Sequence, residues 1–137
     1  MPKLVLELTE DFDFDLIGIC SHIKDYRLVW ELNQVLEIDL CKDANYEIKR
    51  KDQFQSHAFF HFCDEENLVD FYLISNRSEN GILIPEEKKC DYLFLIKGNL
   101  SDDYKPMVVK KIAEIKNVLA TYEIEVEALK SKENLVF

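Results

Sequence analysis

A proline-containing turn that leads directly into a run of apolar residues constrains this chain more than any other segment. Pro85 restricts its own backbone and that of Ile84, so Ile84 can end a strand but the chain must then turn. The four charged residues 86–89 predict a solvated loop. Residues 90–97 are mostly apolar at both alternating positions, which is typical of a strand covered on both faces. We therefore expect a turn at Pro85 followed by a central strand.

Asp91 is the exception at the start of that apolar run. A carboxylate that enters an apolar strand needs hydrogen-bond donors or a position at the wet end of the strand. The backbone N–H groups of residues 85–88 are nearby donors, so we favour a structural Asp91 that holds the turn. The alternative is a ligand or a general base in a site that Asp91 forms with Tyr92 and His61.

The composition predicts an acidic globular protein. The chain has 137 residues, of which 47% are hydrophobic, and its formal net charge is -10. This length predicts a single globular domain over residues 1–137. The negative charge argues against nucleic acid as a partner and is compatible with a protein partner.

The cysteines and the N-terminal residues bear on the compartment. The four cysteines lie far apart and form no C-x-x-C pair, so we expect reduced thiols. The N-terminal sequence does not have the pattern of a signal peptide, and no apolar run approaches the length of a membrane span. These features predict a cytoplasmic protein without membrane association.

Apolar periodicity predicts three helices. An N-terminal pair is indicated by two successive stripes, the first Phe12, Leu16, Ile19, Cys20 and Ile23, and the second Leu28, Leu32, Val35 and Leu36. Gly18 in the first helix indicates close packing, and Trp30 at the edge of the second stripe is expected in the core. The third helix covers residues 103–117, with a buried stripe of Val108, Ile112, Ile115 and Leu119.

Alternation predicts the strands, which lie near residues 4–8, 38–40, 46–49, 57–62, 68–75, 90–97 and 121–127. Residues 120–128 also fit a continuation of the third helix, but their β-branched and aromatic residues favour a strand. The predicted fold is α+β, an antiparallel sheet of about five or six strands with the N-terminal helix pair and one C-terminal-half helix packed on it. Residues 68–75 and 90–97 should be central, and residues 121–127 should lie at an edge or on an open face of the sheet.

The turn-and-strand segment also matches most of the pattern Ile-Pro-Glu-x-x-x-Val-Asp-Tyr-Phe. The matching residues are Ile84, Pro85, Glu86, Asp91 and Tyr92, whereas Cys90 and Leu93 stand where the pattern has Val and Phe. The chain thus resembles the uncharacterised bacterial IPExxxVDYF family, to which residues 25–28, 32–33 and 129–137 are similar as well. This resemblance implies a bacterial cytoplasmic protein with a strand after Leu119. It implies no activity, cofactor or catalytic residue.

We find no convincing catalytic or metal-binding pattern. His57, His61 and Cys63 would share one strand face, but ligands four residues apart on a strand are too distant to share an ion easily. The start of a calcium loop is imitated by Asp11, Asp13 and Asp15, but the glycine and glutamate positions of such a loop are not filled. We therefore predict no metal, no cofactor and no catalytic residue.

Two functions remain open. The first is a non-enzymatic protein-binding or assembly module, for which a homodimer is the simplest assembly. The second is a small enzyme or small-molecule-binding protein with a pocket between the helices and the sheet, near Asp91, Tyr92 and His61. Convergence of these three side chains on a cavity would favour the second. The sequence names no ligand, partner, reaction or pathway.

Overall fold

A six-stranded antiparallel sheet organises the computed structural model, which describes residues 14–50, 53–98 and 101–135. Within these residues the strands are β1 (Asp15–Ser21), β2 (Cys41–Lys42), β3 (Tyr46–Arg50), β4 (Gln53–His57), β5 (Phe59–Asp64), β6 (Val69–Ser75), β7 (Arg77–Ser78), β8 (Gly81–Ile82), β9 (Tyr92–Gly98) and β10 (Val118–Ile124). The helices are α1 (Asp25–Leu36) and α2 (Tyr104–Ala113), and 3₁₀ turns cover Pro85–Glu87, Val126–Ala128 and Lys132–Asn134. The order of the main sheet is β10-β1-β9-β6-β5-β2. Strands β3 and β4 form one separate hairpin, and β7 and β8 form another.

The two helices cover one face of the main sheet, which we call the helix-covered face. Leu28, Val29 and Leu32 of α1 are buried there, together with Val108 and Ile112 of α2. They pack against the sheet residues Ile17, Ile19, Phe60, Phe71, Leu73 and Phe94. This burial of apolar side chains on both partners is the main force that holds the helices on the sheet.

Loops and 3₁₀ turns cover the opposite face, which we call the loop-covered face. Its core contains Leu16, Ile74, Leu83, Ile84, Leu93, Leu95, Val126, Leu129 and Leu135. Because both faces of the sheet are covered, the sequences of the central strands are continuous apolar runs and do not alternate between apolar and polar residues.

The structure confirms the α+β class and the six-stranded antiparallel sheet. The two strands expected to be central, β6 and β9, occupy the third and fourth positions, and β10 lies at an edge. The expected helix at residues 25–36 is present as α1. The strand expected at residues 4–8 lies outside the described residues, as do Asp11 and Asp13.

The first helix of the predicted N-terminal pair is wrong, because residues 15–21 form strand β1 between β9 and β10. Residues Leu16–Cys20 are buried on both faces, and a short apolar run of this kind fits a helix and a buried strand equally well. Gly18 does mark close packing. A Cβ atom at this position would lie 2.5 Å from Cys90 Sγ.

Two apolar residues expected in the core are exposed. Trp30 is 54% exposed because it lies on the side of α1 that faces away from the sheet. Leu119 is 67% exposed because α2 ends at Ala113, four residues before β10, so the helical stripe does not continue to it. Leu119 also has no partner in the β1–β10 register, where the pairing shifts between Cys20 and Ser21.

Candidate functional site

Asp91 joins three segments at the point where the chain enters β9. Its Oδ2 accepts a hydrogen bond from the Ser21 N–H at 2.8 Å, and its Oδ1 accepts one from Arg77 Nε at 3.0 Å. The Asp91 N–H donates to the Ile19 carbonyl at 2.9 Å. The carboxylate therefore bonds β1 and Arg77, and the expectation that it bonds the backbone of residues 85–88 is wrong.

Asn76 performs the role that the sequence assigned to Asp91. This side chain is fully buried, and its Oδ1 accepts a hydrogen bond from the Ile84 N–H at 2.8 Å. Its Nδ2 donates to the carbonyls of Glu87 and Cys90 at 3.0 and 2.9 Å. Asn76 thus holds both ends of the proline turn. In the sequence, Asn76 opens a run of turn-forming residues at 76–81, a position at which asparagine is common and usually exposed.

Glu86 connects the same turn to the C-terminal part of the chain. Its two carboxylate oxygens accept hydrogen bonds from the Ser131 N–H and hydroxyl, each at 2.7 Å. Burial opposes the charge on Glu86, but the bonds from Ser131 outweigh it and lower the pKa of the carboxyl. Ile84 is fully buried in the loop-covered face, so the turn is fastened by both apolar and polar contacts.

Tyr92 belongs to the helix-covered face. Its hydroxyl donates a hydrogen bond to the Ile23 carbonyl at 2.6 Å, just before α1 begins. Burial raises the pKa of Tyr92 to about 12, with smaller contributions from Asp25 and Asp91. The tyrosine is therefore neutral at physiological pH, and its hydroxyl is occupied by a structural bond.

His61 lies on the opposite face, because its neighbours Phe60 and Phe62 point to the helices and strand residues alternate. Its ring stacks on Tyr72 with centroids 4.7 Å apart, and its Nε2 lies 3.0 Å from Asp70 Oδ1. The structure therefore does not bring His61 together with Asp91 and Tyr92. These three residues do not line a common pocket between the helices and the sheet.

The surroundings of His61 also do not activate a nucleophile. Cys63 is exposed on the same strand, and a hydrogen bond to Asp70 together with the nearby negative charge raises the pKa of its thiol. A cysteine nucleophile needs the opposite shift, since the thiolate is the reactive form. His57, which was expected to share this strand face, lies in β4 and is buried.

A pair of buried thiols lies where β1 meets the proline turn. Cys20 Sγ donates to the Lys89 carbonyl at 3.0 Å and lies 3.2 Å from the Tyr122 hydroxyl oxygen. Burial raises the pKa of the neighbouring Cys90 thiol to about 12. The Cys90 thiol is therefore protonated at neutral pH, and both buried cysteines act as packing residues.

A cleft of about 410 Å³ opens between the β3–β4 hairpin and the turn that carries Arg77. Its lining is mostly hydroxyl and amide side chains, with one exposed aromatic ring, and consists of Asn45, Phe54, Ser56, Ala58, Ser75, Arg77, Ser78, Glu79 and Asn80. None of the three residues predicted from the sequence lines it. Asp91 does not line the cleft, but it forms an ion pair with Arg77, which does.

The outer side of α1 carries a surface that sequence reasoning missed. Tyr26 is 65% exposed and Trp30 is 54% exposed, and they lie one helical turn apart. The Arg27 guanidinium lies 5.3 Å from the centre of the Trp30 ring, and its Nη2 lies 3.8 Å from Glu31 Oε2. We call these four residues the α1 patch. Its signal in the sequence is that Tyr26 and Trp30 fall opposite the apolar stripe of the same helix.

Among the described residues, no group of three or more histidine, cysteine, aspartate or glutamate side chains is placed to hold a metal ion. The two helices found in this part of the chain are too short to cross a membrane. The sequence matches no family model and no curated protein. The function must therefore be argued from the geometry of an α+β protein with an exposed aromatic helix face.

Proposed function

We propose that this chain is a non-enzymatic protein-binding or assembly module that acts through the α1 patch. The supporting observation is the exposure of Tyr26 and Trp30 side by side, with Arg27 stacked on the indole ring. Tryptophan, tyrosine and arginine are the residue types most enriched in the energetic centres of protein interfaces. Adjacent exposed aromatics of this size are a common mark of an interaction site.

The energetic scale is adequate for such a role. A tyrosine or tryptophan buries roughly 150–250 Å² in a protein interior. Since each side chain of the pair is more than half exposed, a partner could cover roughly 100 Å² of each. At about 25 cal/mol per Å², this burial contributes roughly 2.5 kcal/mol per side chain. Part of that gain offsets the entropy lost on association, so we expect moderate rather than tight binding.

The bacterial cytoplasmic setting belongs to the same proposal. It is supported by the resemblance of residues 84–93 to the IPExxxVDYF pattern, and by four cysteines that are all free. Unpaired thiols fit a reducing compartment.

The direct test compares the wild type with a variant in which Tyr26 and Trp30 are both replaced by alanine. Each immobilised protein is offered a bacterial extract and, separately, a differently tagged copy of the chain. We expect the double variant to lose binding, while the control Leu119→Ala, which removes a side chain that is 67% exposed elsewhere, retains it. Binding that is absent in the wild type, or unchanged in the double variant, would contradict the proposal.

The cleft supports a second candidate function, that of a small enzyme or small-molecule-binding protein. Its volume of about 410 Å³ falls within the usual range of ligand pockets, roughly 300–1,000 Å³. The hydroxyl and amide lining, with Phe54 as an exposed ring, suits a polar and nearly neutral ligand with one apolar surface. Arg77 and Glu79 contribute opposite charges at its edge.

A screen of polar metabolites by thermal shift and ligand-observed NMR tests this candidate. A true ligand should raise the melting temperature of the wild type but not that of Phe54→Ala. Replacement of Tyr26 serves as the control, because it lies outside the cleft and should leave the shift unchanged. If no compound binds, or if the compounds that bind raise the melting temperature of Phe54→Ala as much as that of the wild type, the α1 patch is the better candidate.

A further inference from the structure

We propose that the partner of the α1 patch is a second copy of this chain, bound as a two-fold dimer in which the two α1 helices pack antiparallel. This inference rests on the proposed binding role of the patch and names its occupant. The charges that surround the two aromatic rings favour this partner.

The local charge of the α1 patch differs from that of the whole chain. The chain carries a formal net charge of -10, but α1 and its N-cap carry two basic residues, Lys24 and Arg27, and two acidic ones, Asp25 and Glu31. The patch is therefore neutral on a strongly acidic protein. A basic protein or peptide would be attracted to other parts of the surface. A neutral patch suits a partner whose contacting surface is also balanced in charge.

The order of the charges along α1 makes the patch complementary to a second copy of itself. Arg27 and Glu31 lie one turn apart on the same flank of α1, about 6 Å along the axis. A two-fold axis perpendicular to two antiparallel α1 helices brings the same flank of each helix together. Arg27 of each copy then faces Glu31 of the other copy, which gives two contacts between opposite charges. A parallel two-fold arrangement would place the two Arg27–Glu31 flanks on opposite sides of the interface and form neither contact, so the antiparallel arrangement is favoured.

The two aromatic rings fit the same antiparallel pair. The same antiparallel arrangement places Trp30 of one protomer beside Tyr26 of the other, and the two-fold axis repeats the contact. The Arg27 side chain already holds the indole ring at 5.3 Å, so little side-chain entropy is lost when the partner arrives. Each α1 is 12 residues long, roughly 18 Å, which limits the buried area. An interface this small falls below about 1,200 Å², so we expect micromolar affinity.

The test is a charge exchange between protomers, followed by analytical ultracentrifugation of the full chain from about 5 to about 500 µM. Arg27→Glu alone and Glu31→Arg alone should each weaken dimerisation about tenfold, because two attractive pairs become repulsive. An equimolar mixture of these two variants should dimerise again, since each protomer then meets opposite charges. Lys110→Glu and Glu114→Arg make the same changes of net charge on exposed residues outside the patch, and they should have no effect.

Circular dichroism and thermal melts confirm that each variant is folded, so a lost dimer cannot be attributed to unfolding. A wild type that stays monomeric over this range overturns the dimer, as does a mixture that fails to recover. If such a monomer still captures another protein through Tyr26 and Trp30, only the homodimer proposal is refuted and the proposed binding function is retained. If capture fails as well, both proposals are refuted.

Discussion

Replacement of Asn76 by alanine should cost more stability than any exposed asparagine replacement in this chain. The change removes three hydrogen bonds and leaves the Ile84 N–H and the Cys90 carbonyl buried without their partners. The third group, the Glu87 carbonyl, keeps a partner because it also accepts a hydrogen bond from the Cys90 N–H at 3.0 Å. An unsatisfied buried group costs roughly 1–3 kcal/mol, so two such groups predict a loss of about 3 kcal/mol.

Reversible urea unfolding measures this loss directly, provided that the slope of the transition is unchanged. For a domain of this size, about 3 kcal/mol corresponds to a fall in melting temperature of roughly 10 °C. Asn117→Ala is the matched control. This exposed residue contributes only its backbone carbonyl to Ser21, so its replacement should change the stability by less than about 0.5 kcal/mol.

Asn76→Asp adds a test of the hydrogen-bond directions. The aspartate keeps an acceptor for the Ile84 N–H, but it directs a carboxylate oxygen at two carbonyls that previously accepted bonds from Nδ2. Burial and these carbonyls should raise the pKa of the new carboxyl in the folded state above its unfolded value. The variant should therefore be least stable at neutral pH and recover as the pH falls toward that raised pKa.

Two results would refute the reasoning about Asn76. One is a loss below about 1 kcal/mol in Asn76→Ala, which would show that the turn does not depend on the amide. The other is a deficit in Asn76→Asp that does not shrink in acid, which would mean that Nδ2 does not face the two carbonyls.

Three further predictions concern the same joint. Gly18→Ala should destabilise the fold by about 1–3 kcal/mol, and Cys90→Ala should restore part of the loss, because the new Cβ would lie 2.5 Å from the Cys90 sulfur. Glu86→Gln should lower stability at neutral pH and match the wild type in acid. The hydrogen bonds from Ser131 lower the pKa of Glu86 in the folded state below its value in the unfolded state. The stability that the Glu86 carboxylate contributes is therefore present above the unfolded-state pKa and is lost as the pH falls through the folded-state pKa. Asp91→Asn should lower the melting temperature by a few degrees, since it weakens one partly exposed ion pair and retains an acceptor oxygen. Thermal melts over a pH series check all three, and a melting temperature that is unchanged at neutral pH would contradict each.

The sheet was largely predictable because its central strands are short, apolar and bounded by turn residues. The pattern placed β6 and β9 at the centre, as the structure does, and placed β10 at an edge or an open face; in the structure β10 lies at an edge. It failed at β1, where the spacing of Leu16, Ile19 and Cys20 fits a helix as well as a doubly buried strand. Periodicity cannot separate the two when both faces of an element are covered.

The residues around the candidate site were harder to predict. Asp91 was expected to bond the nearest backbone, yet its partners are Ser21 and Arg77, which lie 70 and 14 residues away. Asn76 carried only a turn signal, although it is the buried hub of the joint. Local sequence indicates that a polar group needs partners, but it does not indicate which distant segment supplies them.

The sequence by itself determined the α+β class, the proline turn that leads into a central strand, and the acidic character of the chain. These properties follow from backbone restriction at Pro85, from local apolar patterns and from a count of charges. The tertiary structure alone decided that Asp91 bonds Ser21 and Arg77 and that His61 lies on the sheet face opposite Tyr92. Which strand lies beside which, and which distant group bonds a polar side chain, depends on contacts between residues far apart in the chain, and a single sequence does not record those contacts.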